Sequence, residues 1–124
     1  MRIKNTTQWR DNDLRRLFGR CIQIVREVEG EGKSSGLEIK VGRRKNYDAI
    51  SGGAITGGNY ILIRIRNNVD LSKQSRKERL AHIFTHEFYH TLGYKYHDYK
   101  NYKRDFTKRF DYSWVEEYEI REKV

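Results

Sequence analysis

Residues 86 to 90 read His-Glu-Phe-Tyr-His, a group of side chains that could carry out metal chemistry. On an α-helix, residues four apart lie one above the other, so His86 and His90 can present imidazole nitrogens to one ion. Glu87 would then lie beside that ion, where its carboxylate can take a proton from a bound water. The spacing therefore predicts a metal site and a catalytic base on a single turn of helix.

The surrounding sequence predicts the helix that this site needs. No Gly or Pro occurs from Lys73 to Leu92. Apolar residues recur there at every fourth position: Leu80, Phe84, Phe88 and Leu92. Because these side chains cover one face of a helix, His86, His90 and Ile83 lie on another. We expect the apolar face to pack against a sheet and the histidines to face a cleft.

Signals at both ends support the same helix. Gly93 directly follows Leu92, where a helix is expected to end. At the start, Ser72 or Ser75 could cap the helix, and Ser75 is followed three residues later by Glu78, which is the pattern of a capping box. The alternative is a helix with surface histidines and a solvated glutamate, without a metal.

The chain as a whole predicts one domain over residues 1–124, since its length suits a single core. The N-terminus lacks the apolar segment of a signal peptide, and the longest apolar run, Tyr60 to Ile63, is far too short to cross a membrane. Cys21 is the only cysteine and falls in an apolar helical stripe, which indicates buried packing. We expect a cytoplasmic protein with no membrane partner.

The predicted elements run helix, strands, helix. An amphipathic helix is expected from Asp11 to Glu29, with Asp11 or Asn12 as its cap. Strands are expected at Leu37 to Val41 and at Tyr47 to Ser51. A short strand or bulged hairpin is expected next, around four glycines: Gly52, Gly53, Gly57 and Gly58. The clearest strand is Tyr60 to Arg66, because its isoleucines recur at every second position.

This order of elements, with His86, Glu87 and His90 on the last long helix, resembles the minimal zincin arrangement of H-E-x-x-H zinc peptidases. The resemblance covers roughly Leu37 to Tyr102. It implies an α+β domain with an N-terminal helix, a small twisted sheet of three to four strands, the motif helix and C-terminal helices. It also implies an edge strand that pairs with an extended peptide substrate, either Tyr60 to Arg66 or its glycine-flanked neighbour.

The third ligand of a catalytic zinc site must be sought outside the motif, since such sites normally take three protein ligands and one water. A metzincin would have a histidine where this chain has Tyr96, and its methionine turn is missing because Met1 is the only methionine. SprT-like and WLM peptidases are more similar, because their third histidine follows a short variable loop and opens the next helix. By that resemblance His97, directly before the good helix cap Asp98, is the third Zn²⁺ ligand.

Glu117 is the alternative third ligand. In gluzincins this ligand is a glutamate on a later helix. Glu116 has a structural explanation, because Ser113 and Glu116 form a capping-box pattern, whereas Glu117 has none. Asp98 is a weaker candidate. His82, one turn before the motif, is expected to flank the site or lie on the surface, since four histidines would leave no position for water.

The resemblance implies hydrolysis of peptide bonds in a protein or peptide substrate. Zinc would activate a water and polarise the substrate carbonyl. Glu87 would take the proton of that water and later deliver it to the leaving amine. The oxyanion needs a further donor, for which three tyrosines are candidates: Tyr94, Tyr96 and Tyr112.

The net charge is +9, with 26 Lys and Arg residues against 17 Asp and Glu residues. The cations are concentrated in a predicted basic turn and in a later stretch that also carries aromatic residues: Arg43, Arg44 and Lys45, then Lys100, Lys103 and Arg104. Cations beside aromatic rings suit nucleic acid, although the later stretch is equally explained by a core face with a solvated basic face. SprT-like and WLM proteases act on proteins at DNA. The alternative function is therefore a basic nucleic-acid-binding module on an inactive or structural zincin scaffold.

Overall fold

A computed structural model describes residues 1–30, 36–44, 49–94 and 106–124. Within these ranges the chain forms a four-stranded mixed sheet, two α-helices and two short 3₁₀ helices. In chain order the elements are β1 (Arg2–Asn5), α1 (Asp11–Glu29), β2 (Glu38–Arg44), β3 (Ile50–Ala54), β4 (Tyr60–Arg66), α2 (Gln74–Thr91) and the 3₁₀ helices Phe106–Arg109 and Ser113–Glu117. The predicted α+β class is confirmed. No helix in these ranges combines the length and the apolarity that a membrane span requires.

The sheet has the strand order β1-β2-β4-β3. Its first three strands are parallel to one another, and β3 runs antiparallel to β4. The edge strand was predicted to be Tyr60–Arg66 or its glycine-flanked neighbour. Because β4 pairs on both sides, the first choice is wrong, and the edge strand beside α2 is β3.

The elements with a strong hydrophobic period begin and end where the sequence predicts. Both α1 and β4 have the predicted bounds, and α2 lies one residue inside the predicted range at each end. The isoleucines of β4 all face the core, as their spacing predicts, with at most 1% of each exposed: Ile61, Ile63 and Ile65. Regular spacing of apolar residues, every three or four positions in the helices and every second position in the strand, is thus sufficient to locate these three elements.

The predicted basic turn at residues 43 to 45 is wrong for the two residues that the structure describes. Arg43 and Arg44 belong to β2, because the ladder with β4 continues to the pair Arg44 and Arg66. The next strand is Ile50–Ala54 instead of Tyr47–Ser51, and residues 45–48 lie outside the described ranges. β1 was not predicted, since four residues with one isoleucine carry little signal.

The predicted helix caps are also wrong. α1 is preceded by Arg10 and α2 by Lys73, and neither side chain bonds a backbone N–H of its helix. Ser72 is used instead in a turn before α2, where its backbone N–H and its hydroxyl donate to Asp70 at 2.9 and 2.6 Å. Of the expected C-terminal helices, the described residues show the two 3₁₀ helices.

Both α-helices cover one face of the sheet. Phe84 of α2 stacks on Phe18 of α1 with ring centres 4.3 Å apart. Cys21 of α1 contacts the carbonyl oxygen of Ala81, and burial raises the pKa of its thiol to about 12. Phe84 in the apolar stripe of α2 therefore packs against α1, while Ile83, on the neighbouring face, lies against β3. Cys21 is a buried packing residue, as predicted.

An ion pair between a buried carboxylate and an exposed arginine joins the C-terminal segment to α1. Asp13 is 1% exposed, and its two carboxylate oxygens accept from the Arg121 guanidinium at 3.0 and 3.2 Å. The backbone N–H of Arg121 donates as well, at 2.9 Å. These bonds, led by that of the Arg121 side chain, lower the pKa of Asp13 to about 2.

We expect Asp13 to make folding stability depend on pH. Its ordinary pKa is 3.8, and its folded pKa is about 2. The stabilisation is therefore complete above the ordinary pKa and is lost as the pH falls through the folded one. Asp13→Asn should lower the free energy of unfolding by about 2 kcal/mol at neutral pH and by much less near pH 2.

Urea unfolding across this pH range is the measurement. Asp11→Asn is the matched control, because Asp11 is an exposed carboxylate at the start of the same helix. Equal losses in the two variants at neutral pH would contradict the assignment.

Candidate metal centre

α2 brings His86, Glu87 and His90 together. One potential ligand atom from each of these residues lies within 4.8 Å of the other two. Nε2 of His86 lies 3.1 Å from Nε2 of His90 and 4.0 Å from Oε1 of Glu87. The three side chains thus meet as the four-residue spacing predicts.

The separation of the two imidazoles fits one tetrahedral ion. Histidine nitrogens bind zinc at about 2.0–2.1 Å, so two of them on a tetrahedral ion lie about 3.3 Å apart. The observed separation between His86 and His90 is 3.1 Å. A pair of imidazoles with a neighbouring carboxylate is also a donor set that suits zinc.

The outer nitrogen of His90 is held by a backbone carbonyl. Nδ1 of His90 lies 2.7 Å from the carbonyl oxygen of Tyr94. Since a carbonyl oxygen only accepts, Nδ1 carries the proton and Nε2 presents its lone pair toward His86. Gly93 makes this contact feasible, because its φ of +102° turns the chain back at the end of α2. Such a partner orients a metal-binding histidine, and sequence reasoning did not find it.

Glu87 of α2 packs closely against the edge strand β3. The residue is 3% exposed. A Cβ atom at Gly52 of β3 would lie 2.8 Å from Cγ of Glu87 and 2.9 Å from Cγ2 of Ile83. Only glycine therefore lets β3 approach α2 this closely.

The β3–β4 turn adds a second tie between the hairpin and the centre. The N–H of Gly57 donates to the carbonyl oxygen of His90 at 2.9 Å. The glycines in the sequence predicted a short strand or hairpin here, but they did not predict its contacts with α2.

The three candidates for a third ligand differ in whether the structure describes them. His97 and Asp98 lie outside the described residues. Glu117 is exposed and belongs to a 3₁₀ helix that contacts the first turns of α2. Lys77, for example, donates to the carbonyl oxygen of Tyr118 at 3.1 Å. His86 follows Lys77 by nine residues, or about 13 Å of helix, so Glu117 is distant from the centre.

The predicted capping box at Ser113 is wrong. The backbone N–H and the hydroxyl of Ser113 both donate to the carboxylate of Asp111, each at 2.9 Å. Glu116 is exposed and caps nothing in the described part of the chain. The 3₁₀ helix starts from the Asp111 turn because the serine is already engaged there.

His82 lies away from the group of His86, Glu87 and His90. Its Nε2 is 3.1 Å from the hydroxyl of Thr107, so it joins α2 to the C-terminal segment. This position agrees with the flanking role expected for it.

The tyrosines proposed as oxyanion donors have other partners where the structure describes them. The hydroxyl of Tyr94 donates to Glu29 at 2.9 Å, and that bond raises the pKa of Tyr94. The hydroxyl of Tyr112 donates to the carbonyl oxygen of Thr107 at 2.7 Å. Tyr96 lies outside the described ranges. The structure therefore does not support Tyr94 or Tyr112 as the oxyanion donor.

Comparison with known proteins leaves the function to be argued from the site. No known protein family, curated protein or solved structure matches the chain. The group of His86, Glu87 and His90 is the only set of three potential metal ligands found among the described residues. Any proposal for function must therefore begin with this centre.

We expect Gly52→Ala to disturb the centre and Gly53→Ala to leave it intact. The new methyl group at Gly52 would overlap Glu87 and Ile83, whereas nothing lies within 4 Å of a Cβ at Gly53. Overpacking of this kind costs about 1–3 kcal/mol. The free energy of unfolding, measured in urea, and the affinity for zinc should both fall in Gly52→Ala and not in Gly53→Ala. If both variants match the wild type, the close packing of β3 on Glu87 is not required.

Proposed function

We propose that the protein is a zinc-dependent metallopeptidase in which His86 and His90 bind the metal and Glu87 is the general base. The observation that carries the proposal is the contact of the two imidazoles, 3.1 Å apart, beside a buried carboxylate. A metal that served structure alone would not need an acid–base group at this position.

The three side chains have distinct roles in this proposal. His90 is already oriented by the carbonyl of Tyr94, and His86 completes the pair from one turn earlier. When bound, zinc supplies an activated water and polarises the substrate carbonyl. Glu87 accepts the proton of the attacking water and later returns it to the leaving amine. Its burial between β3 and α2 restricts its rotamers, which suits a base that must act at one place.

The third protein ligand in the proposed centre is His97. The prediction rests on the resemblance to SprT-like and WLM peptidases, and it stays a prediction because His97 lies outside the described residues. The competing ligand Glu117 is disfavoured by its exposure and by its place near the start of α2.

The proposed substrate is an extended peptide that pairs with β3. In the described part of the sheet β3 is an edge strand that pairs with β4, and an edge strand is where an added peptide strand can pair. The strand also lies directly beside Glu87, through Gly52. A peptide added to this edge would therefore run past the metal centre. The mixed sheet, the antiparallel edge strand and the motif helix together support a zincin-like arrangement.

We expect one zinc ion per chain in the wild type, measured by elemental analysis after reconstitution and removal of loose metal. His86→Ala, His90→Ala and His97→Ala should each lose most of it, since each removes a proposed ligand. His82→Ala is the matched control, because His82 lies on the same helix but contacts Thr107.

Glu117→Ala is a second control that should retain zinc. A wild type without zinc would contradict the proposal. So would equal loss in His82→Ala and His86→Ala.

We expect Glu87→Gln to retain zinc and to lose peptidase activity by about 10²–10⁴-fold, because the amide has nearly the same shape but cannot accept a proton. Cleavage of an unfolded protein substrate by the zinc-loaded enzyme is the measurement. Metal content of the same samples separates a lost base from a lost ion. An active Glu87→Gln variant would exclude Glu87 as the base.

A further inference from the structure

Among the described residues, the face of the sheet that is opposite α1 and α2 carries cations instead of a packed layer. Its side chains come from positions that alternate with the buried isoleucines. Six of them matter here: Arg2, Lys4, Lys40, Tyr60, Leu62 and Arg64. Arg2, Lys4, Lys40 and Arg64 are exposed, and Tyr60 and Leu62 are half-buried. We call this surface the open face.

Strand register sets the charges close together. Lys4 of β1 is directly opposite Lys40 of β2, which is opposite Leu62 of β4. Tyr60 lies one row away from Leu62, and Arg64 lies one row away on its other side. Neighbouring strands are about 4.8 Å apart and successive rows about 6.6 Å apart. The cations therefore form a compact patch with a tyrosine ring at one end.

The positive charge of the open face is largely uncompensated. Glu38 is the one carboxylate among its described side chains, and it pairs with Arg2 at 3.3 Å. Lys4, Lys40 and Arg64 form no ion pair with any residue that the structure describes. Like charges directly opposite one another on neighbouring strands destabilise a sheet. An anionic partner would relieve this repulsion.

The topology also indicates a missing layer. Three of the strands are parallel, and parallel sheets are usually covered on both faces. In the described part of the chain the second face is exposed and basic. A partner with negative charge would complement it.

We propose that the open face binds single-stranded nucleic acid, with phosphates at Lys4, Lys40 and Arg64 and a base stacked on Tyr60. A shallow recess of about 290 Å³ beside Tyr60, which Lys4 and Lys40 also line, offers room for this contact. Cations along the backbone and a ring for a base are the two features that single-strand binding uses. The open face has no helix or ribbon that would enter a duplex groove. It has no cluster of large exposed apolar side chains for a lipid surface.

The open face is separate from the metal centre. Of the basic residues that the sequence singled out, Arg43 and Arg44 belong to β2, and the others lie outside the described residues: Lys45, Lys100, Lys103 and Arg104. Gly52 and Ile63 of the sheet face α2 and Glu87, so the metal centre lies on the covered side. A bound strand would therefore leave the metal centre accessible. The proposal does not depend on the peptidase function.

The test is fluorescence anisotropy with labelled oligothymidylate and with a duplex of the same length. We expect Lys40→Glu to weaken single-strand binding at least about tenfold and to reduce its dependence on salt. Arg76→Glu makes the same change in net charge at an exposed position on α2, and it should have a much smaller effect.

Substitutions of Tyr60 test the proposed stacking of a base in the same assay. Tyr60→Leu should weaken binding about five- to a hundredfold, and Tyr60→Phe should retain it, since the ring is what stacks. Far-UV circular dichroism checks that every variant is folded. His86→Ala should bind the oligonucleotide like the wild type, which separates this proposal from the metal site.

Three results would overturn the proposal. One is equal weakening in Lys40→Glu and Arg76→Glu, which would indicate net charge alone. Another is an intact affinity in folded Tyr60→Leu. The third is binding to the duplex as tight as to the single strand.

Discussion

The candidate centre depends on how closely the edge strand approaches the motif helix. Because Gly52 has no side chain, β3 can lie directly against Glu87 and Ile83. That contact covers the carboxylate of Glu87, which α2 holds beside the imidazoles of His86 and His90. It also places the edge strand β3 next to the same carboxylate. The candidate metal centre and the proposed peptide-binding edge are therefore neighbours because of one close packing contact.

Sequence reasoning located the elements whose signal is periodic. Apolar residues are regularly spaced in α1, α2 and β4. The four-residue spacing of His86 and His90 on α2 likewise predicted that their imidazoles lie close together. The helix caps were predicted wrongly, because Asp70 already engages Ser72 and local patterns do not show such competition. β1 was missed, since its pairing with β2 is a tertiary contact that four residues cannot reveal.

The remaining parts of the centre depend on a sharp turn of the backbone and on contacts between residues that are far apart in the sequence. The carbonyl of Tyr94 reaches His90 only because Gly93 reverses the chain, and a backbone group leaves no trace in a motif. Gly52 was expected in a short strand or bulged hairpin and lies in β3, but its close contact with Glu87 of α2 could not be predicted from the sequence. The open face was likewise hidden, because its cations are spread over three strands and meet only through register.

The metal environment of the zinc-loaded protein, measured by X-ray absorption at the zinc edge, tests the central claim most directly. Three imidazole nitrogens at about 2.0–2.1 Å are predicted in the wild type, and one fewer around the small amount of zinc that His90→Ala retains. A spectrum with oxygen ligands alone, unchanged in His90→Ala, would show that His86 and His90 do not hold the ion.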